Sequence, residues 1–205
     1  MKVLLINGSP NVNGCTYTAL KEVADTLEKE GVETEIIHVG NKDIRGCIGC
    51  RQCKQTGKCV FNDIVNEVAP KFAACDGIVI GSPVYFAAPN GTVISFIDRL
   101  FYSCTVDKTM KVGAAVSSAR RAGTTATFDV LNKYFTISQM PIVSANYWNN
   151  VHGYTPEQVQ QDLEGMLNMR ILGRNMAFLI KAIKAQKEAT GLPDKEPHVF
   201  TNFIR

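Results

Sequence analysis

Residues 2–16, KVLLINGSPNVNGCT, join a short apolar run to a loop of small and polar residues. The run KVLLIN is apolar on both faces of an extended chain, which is typical of a strand buried in a parallel sheet. A helical apolar stripe follows the loop, and Gly31 is placed to end that helix. The stripe comprises Thr16, Leu20, Val23 and Leu27. A strand, a loop and a helix in this order predict the first part of a βαβ unit.

The same alternation continues along the chain. Four more apolar runs predict strands: TEIIHV (34–39), GIVIGS (77–82), KVGAAVS (111–117) and MPIVSA (140–145). Helices are predicted over 62–74, 91–102, 123–136 and 156–188. This alternation predicts an α/β, doubly wound parallel sheet, and five strands favour the flavodoxin-like order 2-1-3-4-5 over the six-stranded dinucleotide fold.

We expect one domain with a C-terminal helical extension. Residues 1–155 form the sheet domain with a cysteine-rich loop at 45–60, and residues 156–205 form a helix and a tail of the same domain. Thr155 is a predicted cap with Pro156 in the first helical position, and a helix of that length is open to a break at Gly165 or Gly173. The apolar tail residues are expected to dock on the domain or on a partner subunit; they are Phe200, Phe203 and Ile204.

Composition excludes several classes of protein. The 205 residues are 45% apolar, enough for one core, and carry a net charge of +3 without long basic runs, which argues against nucleic-acid binding. The apolar start is too short for a secretory signal, and no run reaches membrane-spanning length, so we expect a cytoplasmic protein that does not bind membranes. Seven cysteines in a reducing compartment predict metal ligation, redox chemistry or burial rather than disulfides.

In such a sheet, ligands bind at the carboxyl ends of the strands. After the first strand, NGSPNVNGCT (7–16) places Ser9, Asn13 and Thr16, with the backbone N–H groups of Gly14 and Cys15, where a phosphate would meet a helix N-terminus. Cys15 occupies the position where a triphosphate loop needs lysine, which favours a monophosphate. An ordinary turn capped by Thr16 is the alternative.

Two further loops follow strands at the same edge. GSPVYFAAPNGTVISFIDR (81–99) places Pro83, Val84, Tyr85 and Phe86 at the mouth of the sheet, where they suit a flat aromatic ring. SSARRAGTTAT (117–127) adds hydroxyls, backbone N–H groups and two arginines. These arginines suit the phosphates of a nicotinamide cofactor, although a solvated pair is the more frequent case. The three loops predict a phosphate subsite, a ring wall and a polar rim.

The cysteine-rich loop RGCIGCRQCKQTGKC (45–59) has the spacing C-x2-C-x2-C-x5-C. Four thiolates favour zinc or an iron–sulfur cluster, and the successive spacings of three are more typical of a cluster than of the paired ligands of structural zinc. The candidate ligands are Cys47, Cys50, Cys53 and Cys59. Zinc, or no metal with the thiols packed as small apolar side chains, remain the alternatives.

The other cysteines and the histidines are less informative. Cys75 and Cys104 adjoin apolar elements and are predicted core residues. The histidines are scattered, which argues against a mononuclear catalytic metal: His38, His152 and His198. An aromatic pair, Tyr147 and Trp148, follows the fifth predicted strand and could cover a ring or simply pack.

Taken together, the chain resembles the flavodoxin-like NAD(P)H-dependent FMN reductases, and within them the iron–sulfur flavoproteins, over most of residues 1–150. The resemblance implies that FMN is held by three loops and that a [4Fe–4S] cluster is held by the four cysteines. The implied FMN contacts are Ser9, Asn11, Asn13, Gly14, Cys15 and Thr16 for the phosphate, Pro83, Val84, Tyr85 and Phe86 for the ring, and Ser118, Arg120 and Gly123 at the rim. Members commonly carry a basic residue where this chain has Asn11, so Arg120 or Arg121, from the same or a neighbouring subunit, would replace that charge. The resemblance also implies a homodimer or homotetramer with the flavin near the subunit interface, because members of the family usually assemble in this way.

The leading functional prediction is an FMN-dependent oxidoreductase. NAD(P)H would give hydride to flavin N5, and the electrons would reduce a quinone, a nitro or azo compound, or free flavin. No protein acid or base is expected, because the cofactor carries the chemistry. The alternative is an iron–sulfur flavoprotein that exchanges electrons between a ferredoxin-like partner and FMN through the cluster. A third hypothesis is a flavin-binding module without turnover.

Overall fold

Residues 1–201 and 203 are described by a computed structural model of the chain. Its six strands are β1 (Lys2–Asn7), β2 (Glu33–His38), β3 (Gly77–Tyr85), β4 (Ala88–Pro89), β5 (Val112–Ala119) and β6 (Asn150–His152). The order is β2-β1-β3-β5-β6 with parallel pairing throughout, and the two-residue β4 pairs antiparallel with β3 outside this path. Without β4 this is the flavodoxin-like order, so the predicted fold class is confirmed.

Helices cover both faces of the sheet. They are α1 (Cys15–Lys29), α2 (Cys53–Thr56), α3 (Ile64–Ala74), α4 (Gly91–Ser103), α5 (Thr124–Thr136), α6 (Pro156–Gln161) and α7 (Leu163–Thr190). Alternate residues of β1 enter two different cores, because successive side chains of a strand point to opposite faces. Val3 and Leu5 pack in a core with α1 and α7, whereas Leu4 and Ile6 pack in a core with α3, α4 and α5.

The prediction of a strand over MPIVSA (140–145) was wrong. This segment makes one isolated bridge, between Ile142 and Gly113, and the fifth parallel strand is the later β6. Pro141 has no N–H to donate, and the carbonyl of Ser144 accepts a hydrogen bond from Asn175 of α7 at 2.8 Å. The chain therefore leaves the sheet edge and returns to it at Asn150.

The long C-terminal helical segment breaks at Asp162, not at Gly165 or Gly173. Asp162 Oδ1 accepts from the Gly165 N–H at 2.9 Å and caps α7, while Oδ2 accepts from the His152 N–H at 2.7 Å. Gly173 stays inside the helix, where an added Cβ would lie 2.7 Å from Thr26 Cβ, so this glycine permits close packing of α7 on α1. Thr155 caps α6 by accepting from the Gln158 N–H.

The tail after α7 does not dock on the sheet domain through its aromatic residues in the described part of the chain. Phe200 and Phe203 are exposed, and Lys195 forms an ion pair with Asp107. Ile204, the third apolar residue of the predicted docking tail, lies outside the described residues. Within residues 1–201 and 203, no helix is both long and apolar enough to cross a membrane.

Candidate functional site

The loop between β1 and α1 is folded by its own hydrogen bonds. Asn7 Oδ1 accepts from the Ser9 N–H at 3.1 Å, and Ser9 Oγ accepts from the Asn11 N–H at 3.2 Å. Gly14 is the N-cap of α1 and has no side chain to satisfy the first N–H groups of that helix. These N–H groups, at the positive end of the helix dipole, suit a bound phosphate. Asn11 and Asn13, both predicted contacts, are exposed on this loop.

His38, the last residue of β2, and Gly40, which follows it, hold this loop in place. His38 Nε2 lies 2.7 Å from the Ser9 carbonyl oxygen. The backbone at Gly40 approaches the same carbonyl so closely that a Cβ at Gly40 would lie 2.1 Å from it. Sequence reasoning missed this brace, because it depends on a contact between two strands and no local pattern marks it.

The predicted rim residue Ser118 reaches the phosphate loop. Its Oγ lies 2.8 Å from Thr16 Oγ1, and both side chains are buried. The neighbouring Cys15 thiol instead points to β6, with its Sγ 3.6 Å from the Gly153 carbonyl oxygen. Burial raises the pKa of Cys15, so this group is a neutral thiol at pH 7. The Cys15 backbone N–H, rather than its thiol, is therefore the group available to an anion at this loop.

The predicted ring wall is a hairpin formed by β3 and β4. Phe86 and Ala87 are its two loop residues and have φ angles of 49° and 58°, in the left-handed region that tight hairpin turns require. A bulky residue such as Phe is disfavoured at a positive φ angle. The Phe86 ring is also fully exposed, so no packing within the chain compensates for this strain. Ser82 Oγ accepts from the Asn90 N–H at 2.9 Å and fixes the base of the hairpin. Strain at the tip thus accompanies an aromatic surface that the fold itself does not bury.

The rim loop between β5 and α5 packs against this hairpin. Gly123 has φ of 92°, and an added Cβ would lie 2.7 Å from Val84 Cγ1 and 2.8 Å from Ala87 Cα. Gly123 is also the N-cap of α5 and leaves its first N–H groups without a side-chain partner. Arg120 and Arg121 of the same loop are exposed.

The helices differ in how their N-termini are capped. α3, α4 and α7 are capped by the side chains of Asp63, Asn90 and Asp162, whereas α1 and α5 begin at glycines. The two glycine-capped ends belong to the phosphate loop and the rim loop. The three loops therefore fit an anionic ligand with a flat ring, which they would hold by backbone N–H groups and the hairpin wall.

The cysteine loop forms a second feature, along α4. Its four cysteines line one recess, together with Phe61, Arg99 and Tyr102: Cys47, Cys50, Cys53 and Cys59. Cys47 and Cys50 are exposed, Cys53 is buried, and Cys59 is half-buried. Gly49 and Gly57 adopt φ angles of 66° and 70° and turn the chain around the recess.

The four thiols can be compared with the needs of the two candidate metal centres. Among the described residues, no three His, Cys, Asp or Glu side chains converge closely enough to hold a single metal ion. Zinc would need four sulfurs at about 2.3 Å from one centre. A [4Fe–4S] cluster takes each thiolate on a separate iron. Four cysteine thiols around one recess are a donor set that suits either metal centre, and the spacing of the cysteines in the sequence is what favours the cluster.

Arg99 is a site residue that sequence reasoning missed. It lies on the buried stripe of α4 beside Phe96 and Leu100, and its side chain is 0% exposed. Burial lowers the pKa of its guanidinium, but hydrogen bonds to Asp63 and Cys59 outweigh that effect and raise the pKa above the usual value. A charged residue on an apolar helical stripe was the available signal, because such a residue requires a buried partner.

The aromatic pair after residue 145 lies before β6. Tyr147 and Trp148 are half-exposed, with ring centroids 4.8 Å apart. Tyr147 lines a polar cavity with His152 and Asn168, whose Oδ1 is buried without a hydrogen-bond partner among the described residues. The pair therefore presents an aromatic surface beside β6, as well as packing on itself.

Comparison with known proteins identifies the family of the chain. Residues 1–155 match the family model of NADPH-dependent FMN reductases. An iron–sulfur flavoprotein of Methanocaldococcus jannaschii is 33% identical over 192 residues, which cover 90% of this chain and 100% of that protein.

Solved structures agree on the fold. A flavodoxin from the domain Archaea aligns with a TM-score of 0.59 at 16% identity, over 88% of this chain and 99% of that one. An NAD(P)H:quinone oxidoreductase from Methanothermobacter marburgensis aligns with a TM-score of 0.67 at 14% identity, over 86% of this chain and 96% of that one. With the family-model match and the full-length relative, the chain belongs to the NADPH-dependent FMN reductase family, in the branch of the iron–sulfur flavoproteins.

Proposed function

We propose that this FMN-dependent oxidoreductase receives its electrons at a [4Fe–4S] cluster on the cysteine loop, from an acidic electron-carrier protein. The observation that carries the proposal is the single recess lined by all four cysteines, along the helix α4 that begins directly after the ring-wall hairpin. When bound, FMN supplies one- and two-electron redox chemistry, and a [4Fe–4S] cluster supplies exchange of single electrons.

The chain's own residues hold and orient the cofactor. The N–H groups at the start of α1, with Ser9 and Thr16, would bind the FMN phosphate, and the hairpin 83–89 would flank the ring. Ser118 orients Thr16 through their 2.8 Å hydrogen bond. The neutral Cys15 thiol keeps negative charge away from the phosphate. No acid or base of the chain is required in this role, since solvent can supply the protons.

Charge around the cysteine loop supports an acidic protein as the donor. Residues 41–60 carry five basic side chains and one acidic side chain, a formal charge of +4, whereas the whole chain carries +3. All six are exposed: Lys42, Asp43, Arg45, Arg51, Lys54 and Lys58. Ile48, Val60 and Tyr102 add exposed apolar surface at the same place. Such a basic surface speeds encounter with an acidic partner.

Direct reduction by NAD(P)H is the second candidate. The exposed Arg120 and Arg121 beside the ring wall favour it, because guanidinium groups suit the phosphates of a nicotinamide cofactor. For either donor, the exposed aromatic hairpin suits a planar acceptor such as a quinone, a nitro or azo compound, or free flavin. Reduction of a quinone to a hydroquinone takes two electrons and two protons, so a one-electron carrier must deliver twice per turnover.

We also propose assembly as a homodimer or homotetramer. The exposed Phe86 at the hairpin tip and the exposed Phe200 in the tail support it, because neither ring is covered by the chain's own fold. Docking of the tail on a partner subunit is part of this proposal.

Stopped-flow reduction of the bound flavin tests the electron source. We expect a reduced acidic one-electron carrier to reduce the flavin rapidly at low ionic strength, and the double variant Lys54→Glu/Lys58→Glu to slow this step at least tenfold. Lys187→Glu is the matched control, because Lys187 is an exposed lysine on α7, on the opposite face of the sheet. Fast reduction by NADH or NADPH alone, with a rate unaffected by the carrier and by the loop charges, would favour the second candidate.

A further inference from the structure

Every hydrogen-bond donor of the buried Arg99 guanidinium is used. Nη1 donates to Asp63 Oδ2 at 2.6 Å and to the Arg45 carbonyl at 3.1 Å, and Nη2 donates to Asp63 Oδ1 at 2.9 Å and to the Phe61 carbonyl at 3.3 Å. Nε donates to Cys59 Sγ at 3.2 Å. An arginine has five N–H groups, so this set satisfies the side chain completely. Its Cζ also lies 5.0 Å from the centroid of the Phe61 ring.

The partners of Arg99 lie on both sides of the cysteine loop. Arg45 comes two residues before the first cysteine, whereas Cys59, Phe61 and Asp63 lie at and after the last one. One side chain of α4 therefore joins the two ends of a long segment that contains a single short helix. Closing such a segment costs conformational entropy, and a bidentate carboxylate pair with two carbonyl contacts offsets that cost.

The contact with Cys59 has a second consequence. A positive N–H donor at a ligand sulfur stabilises negative charge on the metal centre, and a cluster gains one negative charge when it is reduced. The donor therefore favours the reduced state and makes the reduction potential less negative. Arg45 provides a comparison, since its guanidinium lies 5.4 Å from the same Phe61 ring but on the exposed side of the loop.

We propose that Arg99 is the positioning residue of the cysteine loop. It holds the loop closed before any metal binds, and it raises the reduction potential of the cluster through its N–H donated to Cys59. The second part rests on the proposed function, because it needs the cluster; the first part does not.

The test compares Arg99→Met and Arg99→Lys with the control Arg45→Met. Hydrogen exchange of the amides of residues 45–63 in the metal-free protein reads the closure of the loop, and bound FMN per chain shows that each variant is folded. In Arg99→Met we expect at least tenfold faster exchange over 45–63 and loss of most iron after anaerobic reconstitution, with FMN retained. The control should exchange and load iron like the wild type.

Arg99→Lys separates charge from geometry. A lysine can keep the ion pair with Asp63 but lacks the planar fork, so it cannot also hold Cys59 and both carbonyls. We expect the variant to load iron and to show a midpoint potential, by EPR-monitored titration, more negative by a tenfold shift in the redox equilibrium, about 59 mV for one electron.

Wild-type exchange rates over 45–63 in both Arg99 variants would overturn the closure, and an unchanged potential in Arg99→Lys would overturn the tuning. If the wild type itself takes up no iron, the cluster assignment and the tuning both fail, while the exchange rates still decide whether Arg99 closes the loop. If Arg99→Met retains no FMN, the exchange rates of Arg99→Lys decide it.

Discussion

Replacing Gly40 by alanine tests whether the loop after β1 is the FMN-phosphate site. The added Cβ would lie 2.1 Å from the Ser9 carbonyl oxygen and 2.3 Å from that of Gly8. Both obstacles are backbone atoms, so no side-chain rotation relieves the clash, and the loop must move by about 1 Å to restore van der Waals contact. That movement also weakens the 2.7 Å contact between His38 Nε2 and the Ser9 carbonyl.

The size of the effect follows from the cost of overpacking. Forcing an extra carbon into a closely packed place costs about 1–3 kcal/mol. The apoprotein can relieve the strain by shifting the loop, but FMN needs the loop in its original position, so the cost appears in the affinity. At about 1.4 kcal/mol per factor of ten, the Kd for FMN should rise roughly 5- to 150-fold.

The assay is titration of the apoprotein with FMN, followed by flavin fluorescence. Gly91→Ala is the matched control, because Gly91 begins α4 next to the hairpin and its added Cβ would meet no atom within 4 Å. The control should keep the wild-type Kd, and both variants should show a single cooperative thermal transition. A wild-type Kd in a folded Gly40→Ala variant would refute the placement of the phosphate.

Two more predictions concern the hairpin and the thiols. The double variant Phe86→Asn/Ala87→Gly places residues that accept positive φ angles in the turn, so its free energy of unfolding in chemical denaturation should rise by about 1–2 kcal/mol. Its flavin-dependent reduction of a quinone should fall. Lower stability would contradict the strain at the hairpin tip. In metal-free protein at pH 8, mass mapping after alkylation should find the exposed Cys47 modified early and Cys15 and Cys75 modified late. Burial raises the pKa of the Cys15 thiol, and it raises the pKa of the Cys75 thiol to about 11. The alkylation rate of Cys15 should still increase above pH 9; equal rates at Cys47 and Cys15 would contradict its burial.

Most of the fold was predictable because its signals are local. Strands buried on both faces leave continuous apolar runs, and four of the five predicted runs coincide with β1, β2, β3 and β5. The fifth did not, since MPIVSA is apolar but contains Pro141, whereas the true edge strand β6 is three residues long and polar at both ends. Length and pairing of an edge strand depend on the rest of the sheet more than on its own composition.

The candidate site also contains residues that the sequence predicts and residues that it does not. The three loops at the sheet edge followed from their order along the chain, as a parallel sheet brings the carboxyl ends of its strands together. The brace by His38 and Gly40 did not, because it depends on how closely two backbones approach in space. Arg99 lies between these cases: its place on an apolar stripe was visible, but its partners at the two ends of the cysteine loop were not.

The proposed function requires one chain to hold both FMN and a [4Fe–4S] cluster. Flavin, iron and acid-labile sulfide can be measured per chain in anaerobically purified protein. We predict that the protein contains FMN and that it also contains iron and sulfide, with as much sulfide as iron. Flavin without iron or sulfide would contradict the cluster, and protein that neither contains nor binds flavin would contradict the assignment of the three loops to FMN.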